Sequence, residues 1–172
     1  MPYISDEMNA ALGTRLSRKV SFPVSESDIR RWAIAVMWPE PPPSLFWDAT
    51  YAKTTPQGGI VAPEEFNPFA WMCAESESHD TTVTPDPNDP NHLELALGIP
   101  SPGLQFQLNG GISVEYGVRM HPGDVITSES FLASYSEREG RLGLMLFTVI
   151  EDVWTNQNRD VVKRSETTLI RY

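Results

Sequence analysis

The chain has 172 residues, and its 13 Lys and Arg against 23 Asp and Glu give a net charge of −10. That balance excludes duplex nucleic acid and an anionic membrane surface as natural partners. The length suits one domain, 1–172, large enough to bury a core without staples. The single cysteine, Cys73, permits no internal disulfide and reads as a small core residue in a reducing compartment. No apolar run approaches a membrane span, and MPYISDEMNAALG lacks the layout of a signal peptide, so the expectation is a cytoplasmic protein.

Residues 3–12 suggest a short opening helix, and the β-branched, alternating Arg15–Val24 a first strand. Ser25 opens a second helix: with Asp28 it approaches a capping box, and Ile29, Trp32, Ala33 and Val36 form one apolar stripe ending at Pro39. Four prolines in Trp38–Phe46 rule out both helix and central strand there. Asp48 reads as the N-cap of a further helical turn reaching Lys53.

The stretch Gly58–Ala74, GGIVAPEEFNPFAWMCA, runs a Gly-Gly turn into apolar residues at helical spacing, with Pro63 at a first helical position and Glu64 and Glu65 where a helix N-terminus favours acids. It predicts a buried central helix. The glycines would let a ligand approach the backbone beside that helix terminus, whereas the plain alternative is an ordinary tight turn. Residues 75–103 are acidic and proline-rich and read as an insertion, either unstructured or a lid. From Leu104 four strand-like runs follow, Phe106–Met120, Asp124–Glu137, Leu142–Thr155 and Asp160–Arg171, joined by credible turns. The fold class is α+β, a curved antiparallel sheet wrapped around one helix.

Together GGIVAPEEF, LNGGISVEYGVRMHPGDVITSESFLASYSEREGRLG and LFTVIEDVWTNQNRDVVKRSETTLIRY resemble the hot-dog dehydratase/hydratase superfamily. More narrowly they are similar to the N-terminal half of MaoC-like and fatty-acid-synthase-type dehydratases, from about residue 13 to the C-terminus without the insertion. Catalytic members carry a D-x-N-P-x-H element on the arm before the Gly-Gly turn. Its carboxylate and imidazole serve as paired acid and base on a thioester, while a helix-terminal N–H polarises the carbonyl. Here Trp47 stands at the histidine position, Pro43 and Ser44 replace Asn-Pro, and no Asp fits, with Glu40 the nearest acid.

The resemblance therefore implies a substrate-binding chain without its own dyad, taking a bulky or long acyl-CoA or acyl-carrier-protein thioester and needing no cofactor or metal. It would pair with a catalytic MaoC-like subunit, or with itself as a double hot-dog, to form an (R)-specific enoyl-CoA hydratase or 3-hydroxyacyl-thioester dehydratase. Substrate-wall residues are Trp47, Gly58, Gly59, Ile60, Val61, Ala62, Phe66, Trp71, Asn109 and Gly110. Arg138 and Arg141 are candidates for the phosphate arm, against a reading as solvated hairpin charges. Glu40 and His92 are weak catalytic candidates. His79 and His121 read as surface residues, and the spacing of the histidines with Asp80 and Asp89 matches no ordinary metal motif. The alternatives are a non-catalytic ligand-binding protein, or different hot-dog chemistry such as thioester hydrolysis.

Overall fold

The computed structural model describes residues 2–79, 85–86, 88–141 and 143–172. Its framework is one six-stranded antiparallel sheet built from β1 (Arg15–Ser21), β2 (Cys73–Ser78), β3 (Gln107–Tyr116), β4 (Thr127–Gly140), β5 (Gly143–Thr155) and β6 (Val161–Arg171), in the spatial order β2-β1-β4-β5-β6-β3. Strands β3 to β6 match the four expected runs. Their alternating side chains bury Leu132, Leu146, Trp154 and Val162. The opening helix is α1 (Asp6–Ala10), and the second is α2 (Glu26–Met37), the longest in the chain. Ser25 caps α2, its hydroxyl accepting from the Asp28 amide at 3.1 Å. Asp48 likewise caps α3 (Ala49–Ala52) by accepting from the Thr50 and Tyr51 amides.

The central helix expected over Gly58–Ala74 does not form. Residues 58–72 turn and extend, and Cys73 already belongs to β2. The physical reason lies in Asn67–Pro68: proline removes an amide, its ring collides with the preceding turn, and Asn67 is pushed from helical angles. Asn67 closes a local turn instead, its side-chain oxygen accepting from the Phe69 amide at 2.9 Å. The expected burial survives without the helix. Ile60, Val61, Ala62 and Phe66 join Ile29 and Ala33 of α2, Ile126, Trp154 and Val162 in the main apolar cluster.

The acidic segment 75–103 also departs from expectation, since it supplies an edge strand and a helix. CAESES pairs along β1, with Arg18 on Glu75 and Arg15 on Glu77. The helix is α4 (His92–Ala96), whose Leu93 and Glu94 are buried. A second apolar cluster of Met8, Leu104 and Leu146, flanked by Ile99 and Tyr135, lies at the other end of the sheet. Among the described residues no helix is long and apolar enough to cross a membrane.

Candidate functional site

The Gly-Gly turn enters the core through Ile60–Ala62. The Ala62 amide donates to the Met120 carbonyl at 2.8 Å, and Arg119 holds the Ala62 carbonyl at 2.9 Å while pairing with Glu64. Gly58 needs its glycine, with φ +69, whereas a Cβ on Gly59 would meet nothing within 4 Å. With no helix following, the macrodipole expected behind these amides is absent. What remains is backbone: among the described residues the Gly59 amide donates to no backbone carbonyl.

Aromatic side chains share the apolar cluster of Ile60–Ala62. Phe66 packs edge-on against Trp32 with ring centroids 5.7 Å apart, and Phe69 against Trp154 at 5.1 Å. Beside them two cavities share Asp28 and Trp71. One, of about 320 Å³, is walled by Phe22, Val24, Phe66 and Met72; the other, of about 520 Å³, by Arg31, Trp32, Ala35 and Val36. Trp71 stands 74% exposed between them. An apolar slot of this size with few polar groups has the make-up of a small-molecule site.

Trp47 follows a single 3-10 turn, Ser44–Phe46, and is half exposed, its indole N–H donating to the Pro42 carbonyl at 3.0 Å. Phe46 beside it belongs to the same cluster as Ile60–Ala62 and Phe66, four of the ten expected wall residues. Other members lie elsewhere. Asn109 and Gly110 sit on β3 where it meets the C-terminal half of β6, while Ala62 lies beyond the opposite end of β3. Gly110 is forced by packing, since a Cβ would come 2.9 Å from Ile170. Arg138 is on the β4–β5 hairpin, 5.0 Å above the Phe147 ring, and Arg141 occupies its turn.

The weak catalytic candidates are far apart in the fold. Glu40 is exposed on the proline arm after α2, and His92 opens α4 with its Nδ1 2.9 Å from the Asp89 carbonyl. His121 lies in the turn between β3 and β4, as expected, and its amide donates to Asp124; those two strands are not sheet neighbours, so the turn closes no hairpin. Asp80 lies outside the described residues. Among the described residues no histidine takes part in an ion pair, and no group of three or more His, Cys, Asp or Glu could hold a metal ion.

Sequence reasoning missed a buried polar network at the far end of the sheet. Arg171 of β6 grips Glu94 of α4 through both terminal nitrogens at 2.7 and 2.8 Å, and also donates to Thr148 and the Pro90 carbonyl. Tyr135 donates to Glu94 at 2.8 Å, and its phenol is held well above its ordinary pKa, first by burial and then by the Glu94 charge. The signal was present in sequence: Glu94 interrupts an apolar run, and Arg171 falls at an inward position of its strand.

A six-stranded antiparallel sheet, a Gly-Gly turn carried into the core through Ile60–Ala62 and an aromatic slot at Phe66 and Trp71 fit a dehydratase-type hot-dog domain. Residues 10–165 match the family model described as FAS1-like, dehydratase domain region, and the chain belongs to that family. No curated protein matches the sequence. Among solved structures, a MaoC-like dehydratase from Rhodospirillum rubrum is 17% identical with TM-score 0.58, over 94% of this chain and 92% of that one. The ChsH1-ChsH2 complex from Mycobacterium tuberculosis is 17% identical with TM-score 0.60, over 90% and 82%. The HadBC 3R-hydroxyacyl-ACP dehydratase complex from the same organism is 16% identical with TM-score 0.53, over 93% and 96%. At these identities the likeness is one of fold, that of the MaoC-like hot-dog dehydratases.

Proposed function

We propose that this chain is the substrate-binding subunit of an (R)-specific enoyl-thioester hydratase or 3-hydroxyacyl-thioester dehydratase, and that a partner hot-dog chain supplies the acid and base. The observation that carries this reading is Trp47. It occupies the position where the family resemblance puts the imidazole, and its N–H is already bound to Pro42. An indole cannot shuttle protons at neutral pH, so this wall shapes the acyl pocket instead. The Gly59 amide polarises the thioester carbonyl, and Phe66, Trp71 and Trp32 line a slot suited to a bulky or long acyl group.

The partner meets the chain at β3. This edge strand has an unpaired backbone row and presents Leu108, Ile112 and Tyr116 to solvent. Ile112 is 62% exposed. Two relatives by fold are themselves named as two-component complexes, which supports pairing between unlike chains. The test is to purify this chain alone and together with a small neighbouring-gene product carrying D-x-N-P-x-H, and to follow hydration of crotonyl-CoA and bulkier enoyl-CoAs. Activity only in the mixture is the expected result. Full activity from the lone chain would overturn the proposal, and tight binding without turnover in any mixture would favour a ligand-sequestering protein.

A further inference from the structure

The strand registers align two adjacent rows of side chains across all six strands on the face that Trp154 shares with the core. One row reads Ser78, Ser17, Ser130, Asp152, Ser165, Val114, and the next Ser76, Lys19, Ser128, Trp154, Lys163, Tyr116. A core-facing sheet surface ordinarily carries branched and aromatic side chains, because these fill the space above the pleat. Ser128 and Ser165, the buried serines of these rows, fill little of it and bring hydroxyls that need partners, whereas Ser76, Ser78, Lys19 and Tyr116 at the margins are exposed.

The strip lies between the two apolar clusters. Trp154 closes one side, Leu146 belongs to the other, and Leu132, though fully buried, joins neither. Ser130 donates to Asp152 within the row. Lys163 stands 4.2 Å over the Trp154 ring and takes part in no ion pair among the described residues. Burial holds its ammonium below the ordinary lysine pKa, with Asp152 opposing that shift. A cation and an anion beside hydroxyls suit a neutral group that both donates and accepts: Asp152 accepts a hydrogen bond from it, Lys163 donates to its oxygen, and Ser130, whose proton is spent on Asp152, orients that carboxylate.

We propose that this strip recognises a hydroxyl borne on the acyl part of the substrate, away from the thioester, with Asp152, Lys163 and Ser130 setting specificity. The inference rests on the thioester-binding reading above and narrows it from any bulky acyl group to an oxygenated one. Neighbouring strands lie about 4.8 Å apart, so the row spaces its polar atoms for a ligand laid across strands.

The experiment is calorimetric titration of the full chain with decanoyl-CoA and with its ω-hydroxylated counterpart. One satisfied hydrogen bond to a charged partner predicts about tenfold tighter binding of the hydroxylated probe. The ratio of the two affinities should fall to about one in Asp152→Ala and in Lys163→Met. Ser130→Ala, which deletes the hydroxyl bound to Asp152, should also reduce the ratio, and it carries the test if either of those variants fails to fold. Equal affinities in the unaltered chain, or a preference that survives the substitutions, would overturn the inference and leave the thioester reading standing. Failure of both probes to bind would remove that reading and this one together.

Discussion

Arg171 and Glu94, 77 positions apart in sequence, form a bidentate ion pair that is 1% and 0% exposed. It fastens α4 to the last strand. The acidic segment expected as an insertion is thereby tied into the fold at one defined point. A buried pair of this kind gains little over a well-packed apolar pair, but breaking it strands a charge.

Glu94→Gln or Arg171→Met should therefore destabilise the chain by about 3–5 kcal/mol, measured by denaturant unfolding. The double replacement Glu94→Leu with Arg171→Met should recover much of that loss, because neither charge is left unpaired. Equal losses in single and double variants would show that shape, and not charge, holds α4 in place.

The same network sets a prediction for high pH. The Tyr135 phenol has its pKa raised above the ordinary 10.0 by burial and by Glu94. The unfolded chain thus loses this proton first, and the stability linked to Tyr135 is present below pH 10.0 and lost as pH rises toward the folded value. Tyr135→Phe should flatten the fall of the melting temperature across that range, at the cost of one hydrogen bond at neutral pH. An unchanged alkaline slope would remove the phenol as its source.

Two glycines should behave oppositely. A Cβ on Gly117 would lie 2.0 Å from the Val161 carbonyl oxygen, so Gly117→Ala should cost about 1–3 kcal/mol or more as β3 is pushed from β6. Gly59 has open space around its Cβ position, and Gly59→Ala should melt within a few degrees of the unaltered chain. Under the proposed function it should nonetheless lower turnover of the assembled enzyme by disturbing approach to the Gly59 amide. Thermal melts and assays on the same samples separate the two effects.

Assembly through β3 has its own signature. Ile112→Lys places a charge on an exposed edge position, so the fold should persist while pairing fails, read as a drop in mass by light scattering. Retention of the full mass would point to another surface.

Much of this fold was legible because its signals are local. Ser25 and Asp48 announce helix starts through side-chain capping, and the runs after Leu104 alternate with period two between turn residues. The central helix failed for a reason also present in the letters: Asn67–Pro68 halts a helix that the spacing of Phe66, Phe69 and Ala70 suggests. Strand β2 was not legible. CAESES has neither apolar alternation nor strand-forming residues, and only its ladder with Arg15 and Arg18 of β1 makes it one. Of the candidate site, the entry of Ile60–Ala62 and Phe66 into the core follows from their apolar letters, whereas Phe22 and Val24 of the slot, and the distant placement of Asn109 and Gly110, emerge only from the tertiary structure.

The two margins of the sheet differ in kind. On the β2 side, Glu75 and Glu77 line a strand exposed along nearly its whole length; on the β3 side, the rim is greasy. Under the proposed assembly such a sheet is extended from the β3 rim. Growth would stop once that rim is occupied, so a single joining event would yield a closed pair and leave no seed for a fibre.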